Sequence, residues 1–578
     1  MSDKFKSDRL MLADTLLKDG DYESIRQSIE RIARIVPDNK VLAELDKNGE
    51  IVYLTARELY DEVMNLGDGL IDAGLQGAHI AIVAQNSCRY VIADITISSG
   101  VGVVIPTDKD APSQLLATLL GKCDADAVIC NANCVKKLRE AQASCDRLKT
   151  IITIDKPMDG CLLYDDIVER GRQLKDNGVF RNMTLDLEKP AKMLFTSGTT
   201  GANKCVVLTN ANLAANIMNC LDSIRAEEFN TSMSVLPMHH ATEINTHVMT
   251  RIAGGRLTYI NDNMRNLMTN IRIFKPTIIT VVPIIANAFL KGIWSNAWKA
   301  GKAEKLAKGI TLSNILRKFG IDKTHKMFSE VFAPFGGNLN MIVCGGSMLN
   351  PHVVRNLNYL GIRMENGYGI TECGPLISIN GDTLKEHLSV GKPCSGLEVR
   401  LANVNEDGIG ELCVKGKSVA KGYYKDEEAT RAAFTEDGFF NTGDSARIDK
   451  DGKIFLMGRK KNTIVLPNGK NICPEEIENI IETDIDYAND IVVYQAKYED
   501  DGCVQEILCA GLYIEDERKR ADRDAIIDAI KVINGKLPEY KRIDFVELKS
   551  EEYEKTSTRK IKRGNLPEVC SKDGIRIF

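Results

Sequence analysis

The chain has 578 residues, of which 44% are hydrophobic and 27% charged, the balance of a globular protein with roughly two to four domains. Its formal net charge of −5 gives no overall basic field that would point to nucleic acid, so we expect no nucleic-acid partner. No run of about eighteen apolar residues occurs, and the charged first residues lack a signal-peptide core. We therefore expect no membrane span and a cytoplasmic location.

Helix and strand patterns alternate through the first part of the chain. Residues 1 to about 45 are expected to be helical, and residues 57–73 to form an amphipathic helix that ends at Gly74. A further helix is expected before the strand in YVIADITISSGVGVVIPTD. Three short apolar runs predict buried strands: HIAIVAQN, DADAVICN and LKTIITID. This alternation predicts an α/β fold with mostly parallel sheets packed by helices.

The pattern changes after about residue 376. VRLANVNEDGIGELCVKG and SARIDKDGKIFLMGR are short β-rich stretches with Asp-Gly turns, and they predict a β-rich subdomain. Helix, strand, strand and helix patterns then follow in the last part of the chain, enough for a separate α+β domain. We expect a large amino-terminal domain at residues 1–459 and a small carboxy-terminal domain at residues 460–578.

The strongest local signal is MLFTSGTTGANKCVVLT at residues 193–209, where an apolar strand leads into a loop of Thr, Ser and Gly. Small residues let backbone N–H groups approach phosphate oxygens, and Lys204 adds positive charge. The loop is not a Walker loop, because only two residues separate Gly198 from Gly201 and Cys205 follows the lysine. The run alone is also compatible with a flexible surface loop.

A second signal is ENGYGITECGP at residues 365–375. Tyr368 lies between two glycines and could stack on a nucleotide base. Glu372 is an oxygen ligand of the kind that Mg²⁺ prefers. The alternative is a turn with a solvated glutamate.

A third signal surrounds Asp444, which follows Thr442 and Gly443. A carboxylate there could accept hydrogen bonds from both hydroxyls of a ribose, and Arg459 could reach the same sugar. The alternative is an aspartate at a β-turn, its commonest use.

The fourth signal is YEKTSTRKIKR, which places Lys560 in a cluster of five basic residues within positions 555–563. A solvated basic tail or a nucleic-acid patch would have the same composition.

In order and spacing these four signals resemble the superfamily of acyl-CoA synthetases, nonribosomal-peptide adenylation domains and luciferases. The resemblance covers about residues 50–566 and includes GELCVKGKSVAKGYYKDEEATRAAF before Thr442. It implies an AMP-forming enzyme in which a carboxylate attacks ATP to give an acyl-adenylate. It also implies that the small carboxy-terminal domain is mobile and rotates before a thiol takes the acyl group.

The resemblance also implies roles for individual residues, with ATP, Mg²⁺ and CoA as cofactors. The phosphate loop would comprise Thr196, Ser197, Gly198, Thr199, Thr200, Gly201 and Lys204. The adenine and the nucleotide would be bordered by Gly345, Gly346, Ser347, Gly367, Tyr368, Gly369 and Thr371, and the ribose held by Asp444 and Arg459. Mg²⁺ would bind Glu372 and Thr196, Lys461 would be the hinge, and Gly469 would line the pantetheine tunnel. The catalytic set would be Lys560, Glu372, Thr196 and His240, the last at the carboxylate end of the acyl tunnel.

Two positions depart from the family pattern. Cys205 stands where glycine is usual after the loop lysine, and Arg559 stands where glycine usually precedes the catalytic lysine. A side chain at position 205 is expected to stiffen the phosphate loop.

VLPMHHATEINTH and VVPIIANAFLKGIW resemble the corresponding stretches of bacterial long-chain fatty acyl-CoA synthetases. The resemblance therefore implies conversion of a fatty acid, ATP and CoA to acyl-CoA, AMP and diphosphate. Two alternatives stay open: release of acyl-AMP or transfer to an acyl carrier protein, and a degenerate homologue that only binds ligand. The expected partners are a small carboxylic acid and CoA or a carrier protein, with membrane contact only through the substrate.

Overall fold

The computed structural model describes residues 22–174, 177–196, 204–223, 231–347, 349–381, 383, 386, 388–466, 471–485, 487–500, 503–555, 561–571 and 573–577. These residues divide into two compact units. The first unit comprises the described residues up to 349 together with 353–399 and 414–440, and the second comprises 350–352, 400–413 and the described residues from 441 onward. The predicted boundary at 459/460 falls inside the second unit. The two units are defined by how the residues pack, whereas the predicted boundary marks the hinge of a domain rotation. The boundary and the hinge at Lys461 therefore stay predictions.

The strands of the described residues follow in chain order: β1 Lys40–Leu45, β2 Ile51–Thr55, β3 Ala78–Val83, β4 Gly102–Pro106, β5 Ala127–Cys130, β6 Thr150–Thr153, β7 Leu162–Leu163, β8 Pro190–Thr196, β9 Lys204–Thr209, β10 Thr231–Ser234, β11 Leu257–Ile260, β12 Ile278–Val281, β13 Met341–Cys344, β14 Arg363–Gly369, β15 Leu376–Asn380, β16 Lys392–Pro393, β17 Leu397–Ala402, β18 Gly410–Gly416, β19 Gly422–Tyr423, β20 Phe440–Ile448, β21 Ile454–Arg459, β22 Ile464–Val465, β23 Asn471–Ile472, β24 Asp490–Asp500, β25 Cys503–Tyr513, β26 Phe545–Lys549 and β27 Ile575–Arg576.

The α-helices of the described residues are α1 Ile25–Ile35, α2 Ala56–Asp72, α3 Cys88–Thr96, α4 Ser113–Lys122, α5 Val135–Gln142, α6 Tyr164–Gln173, α7 Val179–Asn182, α8 Asn210–Ser223, α9 Met249–Ala253, α10 Leu267–Phe274, α11 Pro283–Lys299, α12 Ala303–Lys318, α13 Thr324–Met327, α14 Ser329–Phe332, α15 Pro351–Leu360, α16 Glu427–Ala433, α17 Pro474–Asp484, α18 Glu517–Ala521 and α19 Arg523–Lys536.

Two large sheets form the first unit. One has nine strands in the order β16-β15-β14-β13-β12-β10-β11-β1-β2, and its strands from β14 to β1 are parallel. The other has eight strands in the order β19-β9-β8-β4-β3-β5-β6-β7, with an antiparallel β8/β9 hairpin. Because β13 and β14 are parallel, their carboxyl ends meet at one edge of the sheet, where loops of open α/β sheets bind ligands.

Local sequence explains where α2 begins and ends. Thr55 caps the helix by accepting from the Glu58 backbone N–H, while the Glu58 carboxylate accepts from the Thr55 backbone N–H. Shortly after the helix ends, Gly74 adopts a φ of +81°, which glycine tolerates without steric cost. The predicted helix at residues 57–73 is therefore confirmed.

A π-helix at Thr242–Val248 interrupts regular helical spacing and continues directly into α9. The wider turn of a π-helix changes which side chains share a face, and such turns occur frequently at functional sites. This helix lies between β10 and β11 in the chain, and its side chains enter the cavity described below.

The second unit contains a sheet in the order β24-β25-β26-β27 and most of a sheet in the order β17-β18-β20-β21. Helices α17 and α19 pack isoleucines into its core, among them Ile477, Ile481 and Ile530. The predicted sequence of helix, strand, strand and helix is confirmed by α17, β24, β25 and α19.

The expectation of helix throughout residues 1–45 is wrong for part of this range. Helix α1 is present, but residues 40–45 form strand β1, whose Leu42 and Ala43 pair in parallel with Thr258 and Tyr259. Pairing with a distant strand outweighed the local pattern. Residues 1–21 lie outside the described residues. In the described part of the chain, no helix is long and apolar enough to cross a membrane.

Candidate functional site

The residues on either side of the predicted phosphate loop are paired strands. Thr196 is the last residue of β8 and pairs with Lys204, the first residue of β9. The pairing brings these two flanking residues, one with a hydroxyl and one with an ammonium group, next to each other. Ser197, Gly198, Thr199, Thr200 and Gly201 lie outside the described residues, so their predicted role stays a prediction.

Cys205 is already part of strand β9. It pairs with Phe195, its side chain is 1% exposed, and burial raises the pKa of its thiol to about 12. The side chain therefore packs in the core beneath the hairpin. The expected stiffening of the loop stays a prediction.

Tyr423 joins this hairpin to the second predicted motif. Its hydroxyl donates a 2.9 Å hydrogen bond to Glu372 Oε1, and the Lys204 Nζ lies 4.6 Å from the centroid of its ring. Burial raises the pKa of the Tyr423 phenol, and the adjacent Glu372 carboxylate adds to this effect. The phenol therefore remains a donor at neutral pH and fixes one oxygen of the half-buried Glu372 carboxylate.

Glycines at the carboxyl ends of β13 and β14 let the two backbones lie very close together, and we call this region the glycine edge. A Cβ atom at Gly345 would lie 2.9 Å from the Gly367 carbonyl oxygen, and one at Gly369 would collide with the Pro375 carbonyl. Gly346 has a φ of +89°. Glycine is therefore required for strands to approach this closely, and the backbone can come near a ligand.

The remaining residues of the second motif flank that edge. Tyr368 is 7% exposed on β14, Ser347 is exposed after β13, and Thr371 begins the short turn that carries Glu372. Ala420 donates its N–H to the Glu372 carbonyl at 2.8 Å, which fixes this turn.

A cavity of about 480 Å³ opens at the glycine edge, within the size range of small-molecule sites. Its glycine-rich end is formed by Gly345, Gly346, Gly367, Tyr368 and Gly369. One wall is largely apolar and comes from the strands: Ile278, Thr280, Val343 and Leu376. A second group of lining residues, the polar wall, comes from the π-helix and α9 and is mostly polar: Thr242, Thr246, His247, Thr250 and Arg251.

The π-helix contains a buried contact between a carboxylate and an imidazole. The Glu243 carboxylate accepts from the backbone N–H groups of Val235 and Leu236 and lies 3.1 Å from His247 Nδ1. The His247 side chain is 3% exposed, and its Nε2 atom has no hydrogen-bond partner among the described residues. Arg251 is 4% exposed, and burial, with Arg256 nearby, lowers the pKa of its guanidinium to about 9.

His240 lies just before this helix and is not among the residues that line the cavity. Its ring centroid is 4.2 Å from that of His239. Burial lowers the pKa of His240 to about 4, and the neighbouring His239 contributes in the same direction. The imidazole is therefore neutral at neutral pH, and its predicted position at the carboxylate end stays a prediction.

A buried ion pair supports both the hairpin and the cavity. The Lys192 ammonium on β8 donates to Asp94 Oδ1 at 2.6 Å and to Asn245 Oδ1 at 2.7 Å, and neither charged side chain is exposed. Asn245, on the π-helix, donates to the Gly374 carbonyl at 3.3 Å. Burial lowers the pKa of Lys192 and raises that of Asp94. This network connects β8, the π-helix and the chain two residues beyond Glu372.

In the second unit, Asp444 and Arg459 face each other across the β20/β21 pair. The Arg459 Nε lies 2.9 Å from Asp444 Oδ1, and its Nη1 donates to the Thr442 carbonyl at 3.3 Å. The structure thus brings together the two residues predicted to hold a ribose, with Asp444 only 7% exposed.

Lys461 follows in a short exposed turn. Partial desolvation lowers the pKa of this lysine, and the positive charges of Arg459 and Arg563 add to the effect. Gly469 and Lys560 lie outside the described residues, so their roles stay predictions.

Sequence patterns missed Tyr423, Lys192 and the pair formed by Glu243 and His247. Tyr423 lies in a stretch that was matched to the family as a whole, and His247 ends the segment VLPMHHATEINTH. Lys192 carries a weak signal, because a lysine inside the apolar strand pattern AKMLF needs a buried partner.

These features together define the adenylate-forming class of proteins: two large sheets, a glycine edge, and a carboxylate beside the Lys204 strand. The model of the AMP-binding enzyme family matches residues 29–424, and the chain belongs to that family. The resemblance found in the sequence is thereby confirmed.

Individual relatives are distant. Long chain acyl-CoA synthetase 7, peroxisomal, from Arabidopsis thaliana is 28% identical over 464 residues, which cover 75% of this chain and 65% of that protein. A chloroplastic long-chain-fatty-acid acyl-carrier-protein ligase from Arabidopsis thaliana is 26% identical, over 74% of this chain and 68% of that protein. The chain thus spans about two thirds of the length of these relatives.

Among solved structures, an anthranilate CoA ligase in complex with anthranoyl-AMP superimposes with a TM-score of 0.74 at 18% identity. The match covers 94% of this chain and 96% of that one, and it confirms the predicted α/β fold.

Proposed function

We propose that this protein activates a carboxylic acid with ATP, forms an acyl-adenylate, and transfers the acyl group to CoA. The proposal rests on one observation: Tyr423 contacts Lys204 through its ring and Glu372 through its hydroxyl, beside a glycine-lined cavity. Positive charge, a fixed carboxylate and close backbone approach are the features that a triphosphate needs from a protein. The fatty-acid and CoA assignments are supported by the similarity to the long chain acyl-CoA synthetase of Arabidopsis thaliana.

In the first step, the substrate carboxylate oxygen attacks the α-phosphorus of ATP, and the bond to the leaving diphosphate breaks. Negative charge develops on phosphate oxygens, so positioned cations and donors lower the barrier. Lys204 would neutralise part of this charge from the hairpin, and Thr196 would donate its hydroxyl to a phosphate oxygen. Lys560 is proposed to bridge the carboxylate and the α-phosphate.

Glu372 fits a magnesium site by its chemistry. Its half-buried carboxylate is an oxygen donor, and Tyr423 holds one of its oxygens in place. Glu372 and the Thr196 hydroxyl would hold the ion, which supplies electrostatic stabilisation of phosphate oxygens when bound.

In the second step, the CoA thiol loses its proton and attacks the acyl carbon, and AMP leaves. Asp444 and Arg459 would hold the ribose, and Lys461 is the proposed hinge for the rotation that brings Gly469 to the thiol path. Rotation about a hinge lets one cavity serve two chemical steps. We propose the cytoplasm as the location.

A screen for diphosphate release tests the proposal. The protein is incubated with MgATP and a series of carboxylic acids, with and without CoA, and the nucleotide and thioester products are identified. We expect diphosphate and AMP with any accepted acid, and acyl-CoA when CoA is present. Formation of ADP would contradict acyl-adenylate chemistry. No diphosphate with any acid would favour a degenerate homologue that only binds ligand.

A carrier-protein acceptor is the second candidate, because one relative is an acyl-carrier-protein ligase. It predicts accumulation of acyl-AMP while CoA remains unconsumed. Addition of an acyl carrier protein with its phosphopantetheine thiol should then restore turnover.

A further inference from the structure

Helix α12 carries apolar side chains on the side that faces away from the core. Its inner side contributes Leu306 and Ser313, which are buried. Leu312, Ile315 and Phe319, the residue that follows the helix, are exposed, and Phe319 is 78% exposed. Spacings of three and four residues place these three side chains, which we call the apolar stripe, on one side of the helix. A solvated surface helix normally carries polar residues there.

Lysines share the exposed side of α12 with the apolar stripe. Lys305, Lys308 and Lys318 are all exposed. At about 100° per residue, they lie within the same half of the helix as the stripe. The methylene stem of a lysine can lie along apolar groups while its ammonium stays in a polar layer. The exposed side of α12 therefore combines apolar and positively charged groups.

The surrounding sequence is strongly basic, although the chain as a whole is acidic. Residues 283–326 contain nine lysines and arginines and only two acidic residues, whereas the formal net charge of the chain is −5. Three of the basic residues pair with carboxylates on the surface: Lys302 with Glu330, Lys308 with Glu304 and Arg317 with Asp322. Exposed pairs of this kind are weak, so this region keeps a local surplus of positive charge.

An exposed tryptophan lies next to the start of α12. Trp298, near the end of α11, is 73% exposed, and its carbonyl accepts from the Gly301 N–H in the turn that leads into α12. Segments that lie at a membrane–water boundary combine Trp, Phe and Leu with lysine and arginine. Residues 298–319 have this composition on their exposed side.

We propose that α12 docks the protein on a membrane that contains anionic lipids. The apolar stripe would enter the boundary between headgroups and acyl chains, and the lysines would contact the headgroups. A lipid surface fits this composition better than a protein partner, because lysine is depleted in protein–protein interfaces and a fluid bilayer needs no complementary shape.

This membrane contact goes beyond the sequence-based expectation, which allowed such contact only through the substrate. It concerns a surface of the first unit, so it is independent of the proposed function.

Co-sedimentation with lipid vesicles tests the proposal without any substrate. The full chain is mixed with vesicles of phosphatidylcholine, alone or with phosphatidylglycerol, at low and at high salt. We expect binding to the anionic vesicles and at least roughly tenfold weaker binding to the neutral ones, with the difference reduced by salt. Equal binding to both vesicles, or no binding to either, would overturn the proposal.

Phe319→Ser tests the insertion of the apolar stripe. Loss of a phenyl ring that becomes buried in lipid should weaken binding to the anionic vesicles at least roughly tenfold. Leu162→Ser is the matched control, because Leu162 is also an exposed apolar residue of the first unit, and it should bind as the wild type does. Unchanged binding by a folded Phe319→Ser variant would overturn the insertion of this stripe.

Removal of lysines tests the contact with the headgroups. The double variant Lys305→Ala with Lys318→Ala should bind anionic vesicles at least roughly tenfold more weakly and with less dependence on salt. The control, Lys149→Ala with Lys189→Ala, removes the same charge at two exposed lysines elsewhere in the first unit. Equal losses in the two double variants would overturn the assignment to α12.

Other occupants of this surface give different outcomes. Self-association in sedimentation that is lost in Phe319→Ser, without vesicle binding, would identify a second copy of the chain. Binding of an acidic carrier protein that is lost in the same variants, again without vesicle binding, would identify a protein partner. Either result would overturn the proposal. The comparisons of lipid composition and salt use only the wild-type protein, so they decide the question even if a variant fails to fold.

Discussion

The Tyr423 hydroxyl donates a 2.9 Å hydrogen bond to Glu372 Oε1 across 51 positions of the sequence. Tyr423 reaches this carboxylate because β19 pairs with β9, which places it beside the phosphate hairpin. The tyrosine contacts Lys204 through its ring and Glu372 through its hydroxyl. It therefore positions two proposed phosphate and metal contacts at once.

Tyr423→Phe should weaken magnesium-dependent turnover. A hydrogen bond to a charged group contributes about 1.5–3 kcal/mol, so we expect a loss of roughly ten- to a hundredfold in kcat/KM for MgATP. The apparent affinity for Mg²⁺ should fall as well, because one Glu372 oxygen loses its fixed orientation. Initial rates over a magnesium titration measure both effects.

Tyr424→Phe is the matched control. Tyr424 also donates to a carboxylate, Asp124 Oδ2 at 2.7 Å, but this carboxylate lies outside the candidate site. We expect no change in the magnesium dependence of this variant. Equal changes in both variants would show that loss of stability, and not the positioning of Glu372, is responsible.

Lys192→Met should destabilise the first unit. It leaves the Asp94 carboxyl buried without its cation, and breaking a buried pair costs about 3–5 kcal/mol. The thermal midpoint should therefore fall markedly, whereas Lys189→Met, at a lysine whose side chain is 77% exposed on the same segment, should have little effect.

The double variant Lys192→Met with Asp94→Asn separates charge from packing. If the uncompensated carboxyl is the cause, the double variant should be more stable than Lys192→Met alone. An additive or larger loss would contradict this explanation. Any stable variant should still show altered turnover, because Asn245 loses the donor that orients it.

Asp444→Ala should raise the KM for ATP, because a charged hydrogen bond to the ribose is lost. We expect a change equivalent to about 1.5–3 kcal/mol. Asp451→Ala, at an exposed position in the turn of the same hairpin, serves as the control. If the KM for ATP is unchanged in a folded Asp444 variant, Asp444 does not hold the ribose, and its role is the structural ion pair with Arg459.

Lys560→Ala should cripple formation of acyl-AMP from acid and ATP. An ammonium directed at developing phosphate charge contributes on the order of 3–4 kcal/mol, or a hundredfold or more in rate. Given synthetic acyl-AMP and CoA, the same variant should keep most of its activity, because the proposed rotation carries Lys560 away. Equal loss in both half-reactions would refute that rotation.

Lys562→Ala is the control for the basic cluster. Its ammonium pairs with Glu554 on the surface, so small effects on both half-reactions are expected. A loss as large as that of Lys560→Ala would favour a general effect of the basic segment.

His240 makes stability dependent on pH in the acidic range. Its pKa is about 4 in the folded protein and 6.5 in its usual state, so the unfolded chain binds more protons between these values. Stability should therefore fall as the pH decreases from 6.5 to 4, by on the order of 3 kcal/mol from this group. His240→Gln should flatten that part of the profile of thermal midpoint against pH.

His325→Gln, at an exposed histidine, should leave the profile of the wild type unchanged. If the profile of thermal midpoint against pH is the same for His240→Gln and for the wild type, His240 does not have a lowered pKa in the folded protein.

The sequence by itself determined those features of this protein that depend on short, contiguous stretches of residues. The strand-and-loop signal from Met193 to Thr209, the motif around Tyr368 and Glu372, and the motif around Asp444 could be recognised because their side-chain chemistry is encoded within a few residues. Apolar periodicity also predicted several helices and strands, among them α2, β3, β5 and β6. It failed at residues 40–45, where pairing with β11 decided the conformation.

Only the tertiary structure decided which distant side chains meet. Lys192 and Asp94 are 98 positions apart, and their contact depends on the tertiary packing that brings α3 and β8 together within the first unit. The polar wall of the cavity depends likewise on the π-helix, whose wider turn cannot be read from a repeat of apolar residues. Local sequence patterns indicate the conformation of a segment. Which other residues the segment contacts depends on strand order and helix register, and these are set by tertiary packing.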